Sequence, residues 1–304
     1  MQRKKWKENK IMKQSKGLTL TVVCLVQSAN YGEGLGNVSV LKKFTRNDSN
    51  QYTYISRQAL RYSLVEQLQW NNTPVEVDKK VVQFAPTATI ADYPEIDLFG
   101  YMKTISKTED SKGGAKTRAA VVRLSDAISL EPYTGDYDFL TNMGLAKRIG
   151  ESNSLAQSEQ HLSYYTYTLT LDLSRIGIDE NDSIEISNDE KANRVIQLLE
   201  AVEFLNRDIR GREESFNPVF VIGGVYDRKN PFFKDRIQVK GNELGFNSVK
   251  EIKESYTWLN EQTRVGVVSG MFKNDEAIKC ELGATQISDV FKAIKAEVRD
   301  YYAN

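Results

Sequence analysis

Two long runs of strict alternation constrain what this chain can become. Leu18, Leu20, Val22, Cys24 and Val26 alternate with Thr19, Thr21, Val23, Leu25 and Gln27. Tyr165, Tyr167, Leu169, Leu171 and Leu173 alternate with Tyr164, Thr166, Thr168, Thr170 and Asp172. A period of two sends successive side chains to opposite faces, so each run predicts a strand with at least one buried face. Between and after them the period changes. Ser56 is placed to cap a helix running to Leu68, and Ala119–Leu130 returns to alternation, with Val122 and Leu124 against Arg123. Ser187-Asn-Asp-Glu190 is a capping box, because the N3 glutamate can reach back to the N-cap amide. It opens a helix with Ala192, Val195, Ile196, Leu199, Val202 and Leu205 inward, and Pro218–Gly224 reads as a buried strand.

The core order is therefore β, α, β, then β, α, β. That α+β pattern fits a ferredoxin-like sheet, the architecture of the RNA recognition motif. The aromatic consensus of that motif is missing, since Gly223-Gly-Val-Tyr-Asp does not match it. Two excursions interrupt the order. Residues 71–118 contain Pro74, Pro86, Pro94, the run Ile96–Met102 and a polar stretch, 107–118, expected to be mobile. Residues 131–162 offer Tyr133, Tyr137, Phe139, Met143 and Leu145 without a stable period. Further on, the spacing predicts a short strand at Ile237 and Val239, a helix over Val249–Leu259, a strand over Arg264–Met271 and a last helix through Ile287 and Tyr301.

The Ser56 helix carries an oddity. Leu60, Leu64, Val65 and Leu68 form its apolar stripe, and Arg57 and Arg61 fall at the N-terminal end of the same arc. Cations in a first turn oppose the positive end of the helix dipole, by a few tenths to about 1 kcal/mol each. An anion at the helix mouth would remove the objection, because free amides and two guanidinium forks would converge on it. Alternatively, both side chains snorkel to water. Just upstream, Ser28–Asn37 holds three glycines in five residues, which let a ligand approach the backbone or simply make a flexible turn.

Charge balances overall, with 41 basic and 41 acidic residues, so nucleic-acid binding requires a local patch. Residues 1–16 supply one basic stretch, seven positive residues against Glu8, and read as a disordered arm. The two cysteines are far apart and form no metal pair, which suits a reducing cytoplasm. No apolar run reaches the roughly 18 residues of a membrane span. The lone His161 lies in a polar run and is expected to be a solvated loop residue. No P-loop, G-x-S-x-G or dinucleotide fingerprint is present.

The opening strand, Ile55-Ser-Arg-Gln-Ala-Leu-Arg61, Asp97-Leu-Phe-Gly-Tyr-Met102, Lys116–Ser129 and Phe220–Gly224 stand in the order of one family. From Gly17 onward the chain resembles the DevR branch of the RAMP superfamily, the CRISPR-associated Cas-seven backbone subunit of type I Cascade complexes, with type I-B the nearest branch. The resemblance implies a single RNA-recognition-motif palm over residues 17–304, a finger insertion at about 71–118 and a thumb insertion at about 131–162. It implies copies stacked head-to-tail on a guide RNA (crRNA), pairing of the guide with a target DNA strand, and other Cascade subunits as partners. It carries RNA contacts onto Ser56, Gln58 and Arg61, onto Asn30 after the first strand, and onto Lys42 ahead of the helix. Arg57 rests on the helix-dipole argument alone.

Such a subunit is expected to need no cofactor or metal and to catalyse nothing. Two alternatives stand beside it. Type III relatives cut RNA with a metal-binding aspartate after the first strand, where this chain offers only Glu33, with Asp48 further along. A DNA-binding autoregulator would require a recognition helix, and none is evident.

Overall fold

The computed structural model describes residues 15–27, 30–32, 34, 36–78, 80–105 and 114–304. The basic arm up to residue 14, Glu33 and the polar residues 107–113 lie outside the described residues.

The two alternating runs become the central strands β1 (Gly17–Val26) and β6 (Ser163–Asp172), paired antiparallel from Gly17↔Asp172 to Val26↔Ser163. An eight-stranded sheet grows outward from this pair. On one side β1 pairs with β7 (Phe220–Tyr226), and β7 with β8 (Arg264–Val267). On the other, β6 pairs with both β4 (Val122–Leu124) and β5 (Ala127–Ser129). Then β5 pairs with β3 (Gln51–Ile55), and β3 with β2 (Lys43–Thr45), all antiparallel. At Gly223 a Cβ would run into the Thr19 carbonyl, so this glycine permits the close β7–β1 approach.

Both faces of the sheet are covered. Leu18, Leu20, Val22 and Cys24 face the helices α1 (Arg57–Gln67), α4 (Asn188–Glu203) and α8 (Ile287–Ala303), meeting Leu60, Leu64, Val195, Leu199, Phe291 and Val298. Each such buried aliphatic or aromatic side chain contributes about 1.5–3 kcal/mol. Burial also pushes the Cys24 thiol up to about 12, so it packs as an inert core group. The opposite face, through Val23, Tyr164, Phe220 and Ile222, is covered by Phe233, Phe246, Val249, Leu259, Phe272 and Ile278. The expected single helix over Val249–Leu259 is two, α5 (Asn247–Glu254) and α6 (Thr257–Gln262). Ser255 ends the first by donating its hydroxyl to the Glu251 carbonyl at 2.7 Å, a local bond that competes with the helix ladder.

The described parts of the excursions are regular elements hung on this frame. Residues 71–118 form the hairpin Val75–Asp78/Val81–Phe84, the short helix α2 (Pro94–Phe99) and the ribbon Tyr101–Ile105/Gly114–Arg118. Asp97 locks their base. Its fully buried carboxylate accepts Arg118 at 2.6 Å, Arg194 at 3.0 Å and the Gly177 amide at 3.0 Å. Gly100 turns the chain at φ +76°, where a Cβ would strike the Arg118 carbonyl. Residues 131–162 form the hairpin Asp136–Thr141/Leu155–Gln160 with α3 (Met143–Ile149) between its strands. Tyr137, Phe139, Leu145 and Ile149 on this projection are exposed.

Candidate nucleic-acid interface

The start of α1 is built as its sequence suggests. Ser56 is extended and its Oγ accepts the Ala59 amide at 3.3 Å. Asn30 Oδ1 accepts the Ser56 amide at 3.2 Å, and the Asn30 carbonyl accepts the Lys42 amide at 2.9 Å. The loop after β1, the approach to β2 and the helix start are thereby tied together.

The expectation of free amides for an anion is corrected here. The Arg57 amide donates to Asp126 Oδ1 at 2.7 Å, so a carboxylate of the chain already occupies the positive end of the dipole. Asp126 sits on the turn between β4 and β5 and answers the objection to arginines in that turn. Nor do the two arginines share one fate. Arg57 is exposed. Arg61 is half-buried, reaches Glu95 Oε1 at 3.3 Å and lies 5.0 Å from the centroid of the Phe99 ring.

Arg57, Gln58 and Arg61 form one wall of a cleft of about 420 Å³. Phe99, Ala120, Val122 and Leu124 supply apolar lining, and Arg123 of β4 also borders it, its side chain leaving the strand on the face opposite Val122 and Leu124. Among the described residues neither Arg57 nor Arg123 has an ion-pair partner. Arg123 had a sequence signal, since it alternates against Val122 and Leu124 on β4. Periodicity says that it points away from the core but not what it meets.

Asn30, Ser56 and Lys42 are outside the cleft lining, and the first two act on the backbone that shapes it. Lys42 differs from its neighbour, because alternation sends Lys43 inward. There Lys43 Nζ is 2.6 Å from both oxygens of Glu159, whose carboxylate also accepts the Leu41 amide at 2.7 Å.

His161 is the other correction. It is only 5% exposed, with Nδ1 2.7 Å from Thr53 Oγ1 and Tyr133 edge-on at 5.6 Å. The 131–162 projection returns to the sheet at this point, so polar neighbours in sequence become a buried cluster in space. Burial holds its pKa below the usual histidine value against the opposing pull of Glu131.

Of the two carboxylates of the cleavage alternative, Glu33 lies outside the described residues and Asp48 is engaged within its own turn. Asp48 accepts the Tyr52 hydroxyl at 2.6 Å and the Asn50 amide at 3.1 Å, a turn-closing role that keeps its pKa low. Among the described residues no group of three or more His, Cys, Asp or Glu is placed to hold a metal ion. No helix among them is long and apolar enough to cross a membrane.

Comparison with known proteins places these features in a lineage. A curated Myxococcus xanthus (strain DK1622) protein, "CRISPR-associated protein Cas7/Cst2/DevR", is 29% identical over 158 residues, 47% of this chain and 52% of that protein. The match thus spans about half the length of the curated relative. Two solved chains share the fold. One is from a "CRISPR RNA-guided surveillance complex, pre-nicking", with TM-score 0.56, 11% identity, and 93% of this chain and 100% of that chain covered. The other, from a "CRISPR RNA-guided surveillance complex", has TM-score 0.56 and 14% identity over 92% of this chain and 99% of that one. The family model for the CRISPR-associated negative auto-regulator DevR/Csa2 matches residues 18–242, well over half of the sequence, and the chain belongs to that family.

Proposed function

We propose that this protein is a guide-RNA-binding backbone subunit of a CRISPR RNA-guided surveillance complex of type I, in its I-B branch, with no catalytic activity of its own. The observation that carries the proposal is the cleft at the start of α1. Arg57, Gln58, Arg61 and Arg123 line it, and neither Arg57 nor Arg123 has an ion-pair partner among the described residues. A subunit that must hold any spacer grips phosphates with such groups and leaves base edges free for the target strand.

The strand order β7-β1-β6-β4/β5, with α1 and α4 on one face, supports reading the core as a ferredoxin-like, RNA-recognition-motif palm. Residues 71–118 are then its finger and 131–162 its thumb. Because residues 232–282 cover the other sheet face, the guide is held at the helix start and not on an open sheet. Zero net charge and an exposed apolar thumb suit head-to-tail stacking of copies, in which two different surfaces meet and propagate. Ser56, Gln58, Arg57 and Arg61, with Asn30 and Lys42 shaping the approach, are the proposed RNA contacts. The partners are the guide RNA, the target DNA strand through it, further copies and other subunits, in the cytoplasm.

Purification of the full chain with its partner subunits and a guide tests this. The expected result is copurifying RNA of one length that sets the size of the assembly. An RNA-free monomer that binds duplex DNA without a guide would overturn it in favour of the autoregulator. Regularly spaced cleavage of complementary RNA in Mg²⁺ would overturn the non-catalytic part.

A further inference from the structure

We propose that His161 is a proton-sensitive latch at the root of the 131–162 projection, fixing the direction of that projection while its imidazole is neutral and releasing it when the ring takes up a proton. The inference goes beyond the guide-RNA reading and holds whatever the projection touches.

Both legs of the projection meet at this ring. His161 lies on the returning leg, buried, with Nδ1 2.7 Å from Thr53 Oγ1 of β3. Thr53 Oγ1 is in turn 2.5 Å from the hydroxyl of Tyr165 on β6, a buried group with no other hydrogen-bond partner among the described residues. The ring also bonds to the backbone of Pro132 on the outgoing leg. Proline has no N–H, so its carbonyl accepts and the ring donates. With Nδ1 turned to Thr53, the donor is Nε2.

These contacts form a chain with one consistent direction. Tyr165 donates to Thr53, Thr53 donates to Nδ1, and Nε2–H donates to Pro132, so each of the three protons has an acceptor. A second ring proton breaks that order. Nδ1–H must then donate to Thr53, and the single contact between the Thr53 and Tyr165 hydroxyls holds only one of their two protons. The other is left buried without an acceptor. Turning the ring out to water removes the conflict, and the leg that carries the ring turns with it.

The charged groups around the ring set the balance. Glu131 and Asp136 of the outgoing leg favour the imidazolium, whereas burial opposes it and prevails. Glu131 is itself engaged by the Ser163 hydroxyl at 2.9 Å. Tyr133 stands edge-on to the ring at 5.6 Å, and its own face carries Lys43, which Glu159 matches at 2.6 Å. That pair, and the bond from the Tyr133 amide to the Gln51 carbonyl at 2.8 Å, keep the root attached when the ring is charged. The projection therefore swings and is not shed.

The test follows ring and projection together in the full chain. His161 is the only histidine, so isotope-labelled histidine gives one imidazole to observe by NMR. The expected result is a bare Nδ1 and a protonated Nε2 at about pH 7.5, with one titration below the ordinary value of 6.5. Spin labels at Ser152→Cys on the projection and Ser288→Cys on α8, with Cys280→Ser to remove the exposed thiol, read the direction of the projection. Their distance distribution should be narrow at about pH 7.5 and broaden reversibly with the same midpoint as the ring. His161→Gln keeps an acceptor for Thr53 and a donor for Pro132 without titrating, so its distribution should stay narrow throughout. A proton on Nδ1 at neutral pH, a ring that stays neutral until the whole chain unfolds, a distance indifferent to the ring, or the same broadening in His161→Gln would each overturn the inference.

Discussion

Arg57→Ala combined with Arg123→Ala removes the two arginines bordering the cleft that no carboxylate neutralises among the described residues. Both are exposed, and their backbone bonds in α1 and β4 survive truncation, so stability should stay within about 0.5 kcal/mol of the parent. Binding should change in a specific way. On a single strand each lost phosphate contact lowers the slope of log K against log salt by about 0.7, so two contacts remove about 1.4. Between about 50 and 200 mM salt that slope changes affinity about 2.6-fold per contact and about sevenfold for the pair. Fluorescence anisotropy on labelled single-stranded RNAs of unrelated sequence, over a salt series, measures both slope and intercept. All sequences should weaken alike. Arg61→Ala is the internal contrast, because its charge is already matched by Glu95 at 3.3 Å, and the slope should fall by less than for either free arginine. An unchanged slope in the double variant, or weakening confined to one sequence, would refute the assignment of these residues to phosphate.

Three further outcomes follow from the buried polar groups. Asp97→Asn leaves Arg118, 5% exposed in its side chain, without its carboxylate and Arg194, 2% exposed, with Glu190 alone, and should cost about 3–5 kcal/mol in urea unfolding. A loss under about 1 kcal/mol would show that the hub is dispensable. Desolvation lowers the His161 pKa below the unfolded value of 6.5, so its contribution is complete above that pH. As pH falls, the unfolded chain binds a proton that the folded chain resists, and stability drops until the folded pKa is reached. Tm should therefore decline as the pH falls below about 6.5, less steeply in His161→Gln, and parallel profiles would contradict this. Glu159→Gln weakens the Lys43 tie at the base of the 131–162 projection, where the two side chains are 8% and 15% exposed. It should cost roughly 3 kcal/mol and speed amide exchange across Leu155–Gln160, whereas unaltered protection there would exclude a tethering role.

The legible features were those set by nearest neighbours along the chain. Ser56 and Ser187 as N-caps and the inward stripe of α4 depend on periods of two or 3.6 and on caps within three residues, whereas the Glu190 half of the expected capping box is turned to Arg194 at 2.8 Å. The break at Ser255 and the helix α7 (Asp275–Leu282) went unread, because their apolar positions take meaning only from the sheet face that they cover. In the candidate site, Ser56, Arg57, Gln58 and Arg61 were readable as a group because they share one helix. Arg123 was not, since what brings β4 to the cleft is its pairing with β6, 47 residues on at Arg123↔Thr170.

The sequence by itself determined the alternating strands, the amphipathic helices, their order and the capped helix start with two arginines in its first turns. Local sterics and side-chain periodicity suffice for these. Only the tertiary structure decided which charges are matched. It set Asp126 on the Arg57 amide, Glu95 on Arg61, Glu159 on Lys43 and two arginines on Asp97, and it buried the solitary histidine. Electrostatic pairing acts through space over a few ångströms, between residues tens of positions apart, so no reading of spacing along the chain supplies it. That is why the oddity of arginines at a helix start was visible in the sequence, and why the two exposed cations of the cleft emerged only from the fold.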